Sequence, residues 1–152
     1  MRDRKRRQDD IAVYLEDKEY TANTYVMKCF SITMVLYLIT VILNVLGIFI
    51  VDQGLMRGGF LPSAVIYIIV YLVTRKVSLS DTRVKYFVLS GIILVYTIIG
   101  VTLTYHAVLL SVLPFLYATI YSSKRVMNYV YILTAISTVI IVYGGYYFGL
   151  CD

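Results

Sequence analysis

The apolar stretch 86–121 constrains this chain more than any other feature: about 36 residues hold no charge and a single His. As one helix it would be roughly 54 Å long, whereas the hydrocarbon layer of a bilayer is about 30 Å thick. It therefore has to turn back on itself. Thr104-Tyr105-His106-Ala107 is its most polar point and the place where a turn fits. The stretch then divides into spans at about residues 86–104 and 107–121.

Three more apolar runs, at about 29–51, 60–74 and 127–148, have the length or nearly the length of a crossing. Hydrophobic residues make up 60% of the chain and charged ones 15%. A soluble domain is usually about half apolar and about a quarter charged. The expected fold is an all-α membrane protein: a bundle of five transmembrane helices over residues 29–152, preceded by a basic segment, 1–28. In that segment Ile11, Tyr14 and Leu15 recur at i, i+3, i+4, which fits a short amphipathic helix on the membrane surface; the alternative is a solvated tail. It does not fit a signal peptide, because the first apolar run lies too far from Met1 and no small-residue cleavage site follows it. Pro62 falls in the first turn of the second run, which is short for a crossing. Pro114 falls inside the fourth, where it should act as a kink or hinge.

Charge placement gives an orientation. Of the 14 Lys and Arg, seven lie in residues 1–28 (Arg2, Arg4, Lys5, Arg6, Arg7, Lys18, Lys28). Four lie in the loop 75–85 (Arg75, Lys76, Arg83, Lys85), two follow at Lys124 and Arg125, and Arg57 is left over. With alternating crossings the first three groups share one face and Arg57 alone takes the other. By the positive-inside rule the rich face is cytoplasmic, so the N-terminus is inside and Asp152 outside. The expected location is a bacterial cytoplasmic membrane, with the lipid bilayer as partner and a homodimer as a further option. The net charge of +5 is no sign of nucleic-acid binding, since the basic residues sit at the ends of apolar runs.

No Asp, Glu, Lys or Arg falls inside these spans, which argues against a proton pump or ion-coupled transporter. Asn44, the one strongly polar residue inside the first span, is expected to make an interhelical hydrogen bond. Asp52, Gln53, Arg57, Tyr105, His106, Tyr146 and Tyr147 fall at the outward ends of different spans. They form either an ordinary interfacial belt or a rim that takes a small polar or aromatic ligand. In the second reading Arg57 pairs with Asp52 or holds an anion, and His106 serves as a sensor near neutral pH. Cys29 and Cys151 are expected at opposite membrane faces, too far apart for a disulfide. No metal or cofactor is expected, and no catalytic motif occurs: Walker-type Gly-Lys-Ser/Thr, HExxH, GxSxG and CxxC are all missing. There are 16 Tyr and no Trp. Tyr37, Tyr67, Tyr71, Tyr96, Tyr117 and Tyr121 fall within or at the edges of spans, where they either pack and anchor helices or line an aromatic pocket. Ser90, Gly91 and Gly100 read as a packing face.

The segment Leu113-Pro114-Phe115-Leu116-Tyr117-Ala118-Thr119-Ile120-Tyr121-Ser122-Ser123-Lys124-Arg125, followed by an aromatic-rich apolar span, resembles the N-terminal membrane region of bacterial signalling proteins. Those proteins carry a cytoplasmic diguanylate cyclase (GGDEF) or histidine kinase output domain. The resemblance implies a sensory or anchoring module with an output domain elsewhere, and it transfers no catalytic residue. Five spans leave Asp152 outside, so a cytoplasmic output domain would require a sixth span beyond it. The rival expectation is a small transporter or channel accessory subunit, or a structural membrane protein.

Overall fold

In the computed structural model, which describes residues 2–48, 51–102 and 112–147, every regular element is helical. The order is α1 (Arg2–Val45), α2 (Gln53–Lys76), α3 (Thr82–Thr102), α4 (Leu113–Ile120) and α5 (Lys124–Tyr147). Four stretches are long and apolar enough to cross a membrane: Val13–Val45, Gln53–Lys76, Thr82–Thr102 and Lys124–Tyr147. The eight residues of α4 rise only about 12 Å.

Helix α1 has 44 residues and is therefore roughly 66 Å long, about twice the hydrocarbon thickness. No Gly or Pro occurs before Gly47, so nothing in the sequence separates the polar segment from the first span. The short helix expected around Ile11, Tyr14 and Leu15 is the beginning of α1 rather than a separate element, and all three side chains are exposed. Farther along, Ala22, Asn23, Val26, Met27, Phe30, Met34 and Tyr37 form a buried stripe at helical spacing. The helix stops well short of residue 51 because Gly47 takes φ +76°. The Gly47 amide then donates to the Asn44 carbonyl at 3.0 Å and the Ile48 amide to the Leu43 carbonyl at 3.1 Å, which is a Schellman cap.

Helix α2 starts earlier than the apolar run because Asp52 caps it, its Oδ1 accepting from the Leu55 amide at 2.9 Å. Its 24 residues are long enough for a full crossing, and Pro62 lies inside the helix instead of in its first turn. The polar loop expected over 75–85 is likewise shortened: α3 begins at Thr82 and takes Arg83 and Lys85 into its first turn.

Helix α3 is the hub. It is buried on most sides and packs against all four other helices. The helices around it keep apolar faces outward, such as Ile32, Leu36 and Ile39 of α1, Leu61, Val65 and Ile68 of α2, and Ile132 and Ile136 of α5. Exposed apolar surface on this scale belongs against lipid.

Closeness is set by glycine. A Cβ on Gly91 would stand 2.5 Å from Val70 Cγ2, and one on Gly100 would stand 2.6 Å from Ile141 Cδ1. The expected packing face on α3 is therefore used on two sides, toward α2 and toward α5. On α5, Gly144 faces Val101 in the same way. Gly91→Leu is expected to destabilise the bundle by about 1–3 kcal/mol through overpacking. Gly58→Ala, whose Cβ would meet nothing within 4 Å, is expected to be neutral or slightly stabilising. Unfolding titrations in mixed detergent would measure both.

Candidate functional site

The rim expected from the sequence lies partly outside the described residues. Asp52 is the N-cap of α2, and Arg57 Nη2 donates to Gln53 Oε1 at 3.4 Å one turn away. Arg57 thus meets Gln53, and the Arg57–Asp52 pair is not among the ion pairs of the described residues. Tyr146 is exposed near the end of α5. Tyr105, His106 and Cys151 lie outside the described residues. Asn44 is buried, but its Oδ1 has no hydrogen-bond partner, so the expected interhelical bond is not made through that oxygen. Pro114 stands in the first turn of α4, where its missing N–H is no loss. Cys29 is partly buried and free. Among the described residues no group of three or more His, Cys, Asp or Glu is placed to hold a metal ion.

The most connected polar site is at the other end of the bundle. Lys85 Nζ lies 2.6 Å from Glu19 Oε1, joining α3 to α1. The Lys85 side chain is 9% exposed and that of Glu19 26%. One turn farther along α1, Asn23 is fully buried and satisfied from two directions. Its Nδ2 donates to the Leu79 carbonyl at 2.7 Å, in the turn between α2 and α3. Its Oδ1 accepts from the Tyr121 hydroxyl at 2.7 Å, just past α4. The Tyr121 phenol is the donor in this bond, and the Asn23 side chain is thereby fixed at both of its polar atoms. One stretch of α1 thus holds the start of α3, the α2–α3 turn and the α4–α5 turn together.

Space remains beside it. A groove of about 240 Å³ is bounded by Glu19, Lys85 and Tyr121, and by Lys18, Ser122 and Ser123 at its mouth. Glu19 Oε2 is buried with no hydrogen-bond partner, so the ion pair is satisfied on one oxygen only. The arrangement is suited to holding helices in register.

Neither Glu19 nor Lys85 stood out in the sequence. Both lie in segments read as polar, and their partnership joins positions 66 residues apart. The only local signal was Asn23, an amide one helical turn beyond Glu19 on the face that Val26 and Phe30 continue inward.

No protein-family model matches the chain, and no characterised protein or solved structure matches it.

Lys85→Met is expected to cost about 1–3 kcal/mol, less than a fully buried pair because Glu19 keeps partial access to solvent. The double variant Glu19→Gln with Lys85→Met should recover most of that loss, since no unpaired charge remains. A double-mutant cycle on unfolding in detergent would measure the coupling.

Proposed function

We propose that this chain is a membrane sensory or anchoring module that couples changes in helix packing to a cytoplasmic signalling output domain. The observation that carries the reading is α1: one unbroken helix runs from the membrane bundle into the basic N-terminal segment. It is tied at Glu19 and Asn23 to both turns at that end. A shift in how α3 or α4 packs would therefore move the projecting part of α1 as a rigid lever. The resemblance of residues 113–125 to signalling proteins of the diguanylate cyclase or histidine kinase type points the same way.

The topology proposed is five spans in a bacterial cytoplasmic membrane, with the N-terminus inside. Two contacts support it. Tyr121 meets Asn23 at the basic end, whereas Thr102, the last residue of α3, meets Tyr37 with hydroxyls 3.4 Å apart. Asn23 and Tyr37 are 14 residues apart on α1, about 21 Å along its axis. Between Thr102 and Tyr121 the chain therefore travels back across most of the bundle. Lys124 and Arg125 then begin α5 at the end already occupied by Lys85 and the α2–α3 turn. Arg57 remains at the opposite end, near the start of α2.

Reporters active only outside the cytoplasm, fused after Ser80 and after Asp152, are expected to be silent and active respectively; a silent reporter at Asp152 overturns the odd number of spans. For coupling, spin labels at the exposed positions Tyr14 and Arg83 should give one narrow distance distribution in the parent protein. It should broaden by several ångströms when Glu19→Gln and Lys85→Met are combined. An unchanged distribution would remove the lever from the mechanism.

A further inference from the structure

At the end of the bundle away from the polar site, α2, α3 and α5 leave an apolar groove of about 450 Å³, lined by Gly58 and Pro62 of α2, Ile98 and Val101 of α3, and Ile140 of α5. This volume is in the usual range of ligand sites, about 300–1,000 Å³. Gly58 marks the opening. A Cβ at Gly59, Gly91, Gly100 or Gly144 would meet a neighbouring helix at 3.0 Å or less, whereas one at Gly58 would meet nothing within 4 Å. Here α2 lacks a protein neighbour.

Two features give the groove polarity at one point. Pro62 has no N–H, so the Gly58 carbonyl, four residues earlier, loses its ordinary intrahelical donor. In a bilayer a carbonyl without a donor is costly, and the molecule beside it is favoured if it can supply one. Arg57 adjoins Gly58, is exposed, and spends one long contact of 3.4 Å on Gln53. It is also the one Lys or Arg that stands apart from the basic end. Apolar walls, a carbonyl without its ordinary helical donor and an exposed guanidinium on the residue next to Gly58 match an amphiphile with an acyl chain, a hydroxyl and a phosphate.

We propose that this groove is a binding site for an anionic phospholipid of the phosphatidylglycerol class, with one acyl chain against Ile98, Val101 and Ile140, the phosphate on Arg57 and a glycerol hydroxyl donating to the Gly58 carbonyl. A second copy of the chain fits less well. Gly54 and Gly58 have the four-residue spacing of a close helix pair, but a two-fold contact through them would bring two Arg57 side chains together without a counter-charge. The proposal rests on the membrane reading and on neither the number of spans nor the signalling role.

Native mass spectrometry of the full chain, released from micelles containing equal amounts of phosphatidylglycerol and phosphatidylcholine with the same acyl chains, tests it. The parent protein is expected to retain one phosphatidylglycerol in preference to phosphatidylcholine by about tenfold, the scale of one charge-assisted hydrogen bond. Arg57→Gln should bring the two lipids to parity. Gly58→Leu, at an exposed position, should reduce retention of both at unchanged helix content, and Ile140→Phe should do the same by filling the groove from α5. Equal retention of the two lipids by the parent, or undiminished retention in both filled variants, overturns the proposal. So does a dimer that retains no lipid and that Gly58→Leu converts to a monomer, for the groove then belongs to a second copy.

Discussion

Helices in a bilayer gain nothing by hiding apolar surface from one another, because lipid is as apolar as they are. Something else must hold α1 to α5 in one arrangement, and here it is hydroxyl bonds that tie α1 to α2, α3 and α4 and α3 to α4 and α5, with a glycine contact between α2 and α3. Ser31 meets Tyr67 at 2.8 Å between α1 and α2. Ser90 meets Tyr129, and Thr97 meets Ser137, each at 2.6 Å between α3 and α5. Thr33, Tyr96 and Tyr117 form a triangle among α1, α3 and α4, with edges of 3.2–3.4 Å. Several of these Ser and Thr hydroxyls also donate to the carbonyl one turn back, so they enter the contact already oriented. Each bond contributes modestly, on the order of 0.6 kcal/mol by measurement in other membrane proteins. Their distribution matters more than their sum: a bundle pinned at different depths resists both sliding and rotation. The high tyrosine content has its physical reason here. A phenol reaches across a helix interface to a hydroxyl while its ring fills the space between, as Phe30 and Tyr67 do edge to face at 5.2 Å.

The bond network and the glycines are complementary. Gly91 brings α3 close to α2 through apolar contact with Val70, and Gly100 brings it close to α5, where Thr97 and Ser137 make a polar contact. Tyr129 makes a second polar contact between α3 and α5, to Ser90. Helix α3 takes part in the close approaches at Gly59, Gly91, Gly100 and Gly144, which is why it can be surrounded while the other helices keep an exposed apolar side.

Much of the architecture was legible in the sequence because the bilayer imposes few choices. Run length and loop charge mark apolar helices, and the four long ones agree with runs found that way. The small residues of α3 were readable as a packing face because Gly has no other common use inside an apolar helix. Helix ends were less legible, since they depend on caps and not on hydropathy. Asp52 begins α2 ahead of the apolar run, and Gly47 ends α1 before its run is finished. The tyrosine bonds and the Glu19–Lys85 pair were out of reach, because each joins residues dozens of positions apart and periodicity says nothing about which faces meet. Asn44 shows the converse. Its polarity inside an apolar run promised a cross-helix bond, yet the Schellman cap uses its backbone carbonyl and its side-chain oxygen finds no donor.

The two ends of the bundle are built on different rules. At the basic end most polar groups are buried and matched: Asn23 has a donor and an acceptor, and Lys85 has one oxygen of the Glu19 carboxylate. At the other end the charged groups are few and peripheral, with Asp52 spent on a helix cap and Arg57 on a long contact to Gln53. The hydroxyl bonds already fix the packing along the bundle, and the polar cluster stands where α1 leaves it. Burying Lys85 and Asn23 there is costly unless the geometry of that exit matters. The cluster fixes the direction of the projecting half of α1 relative to α3 and to both turns.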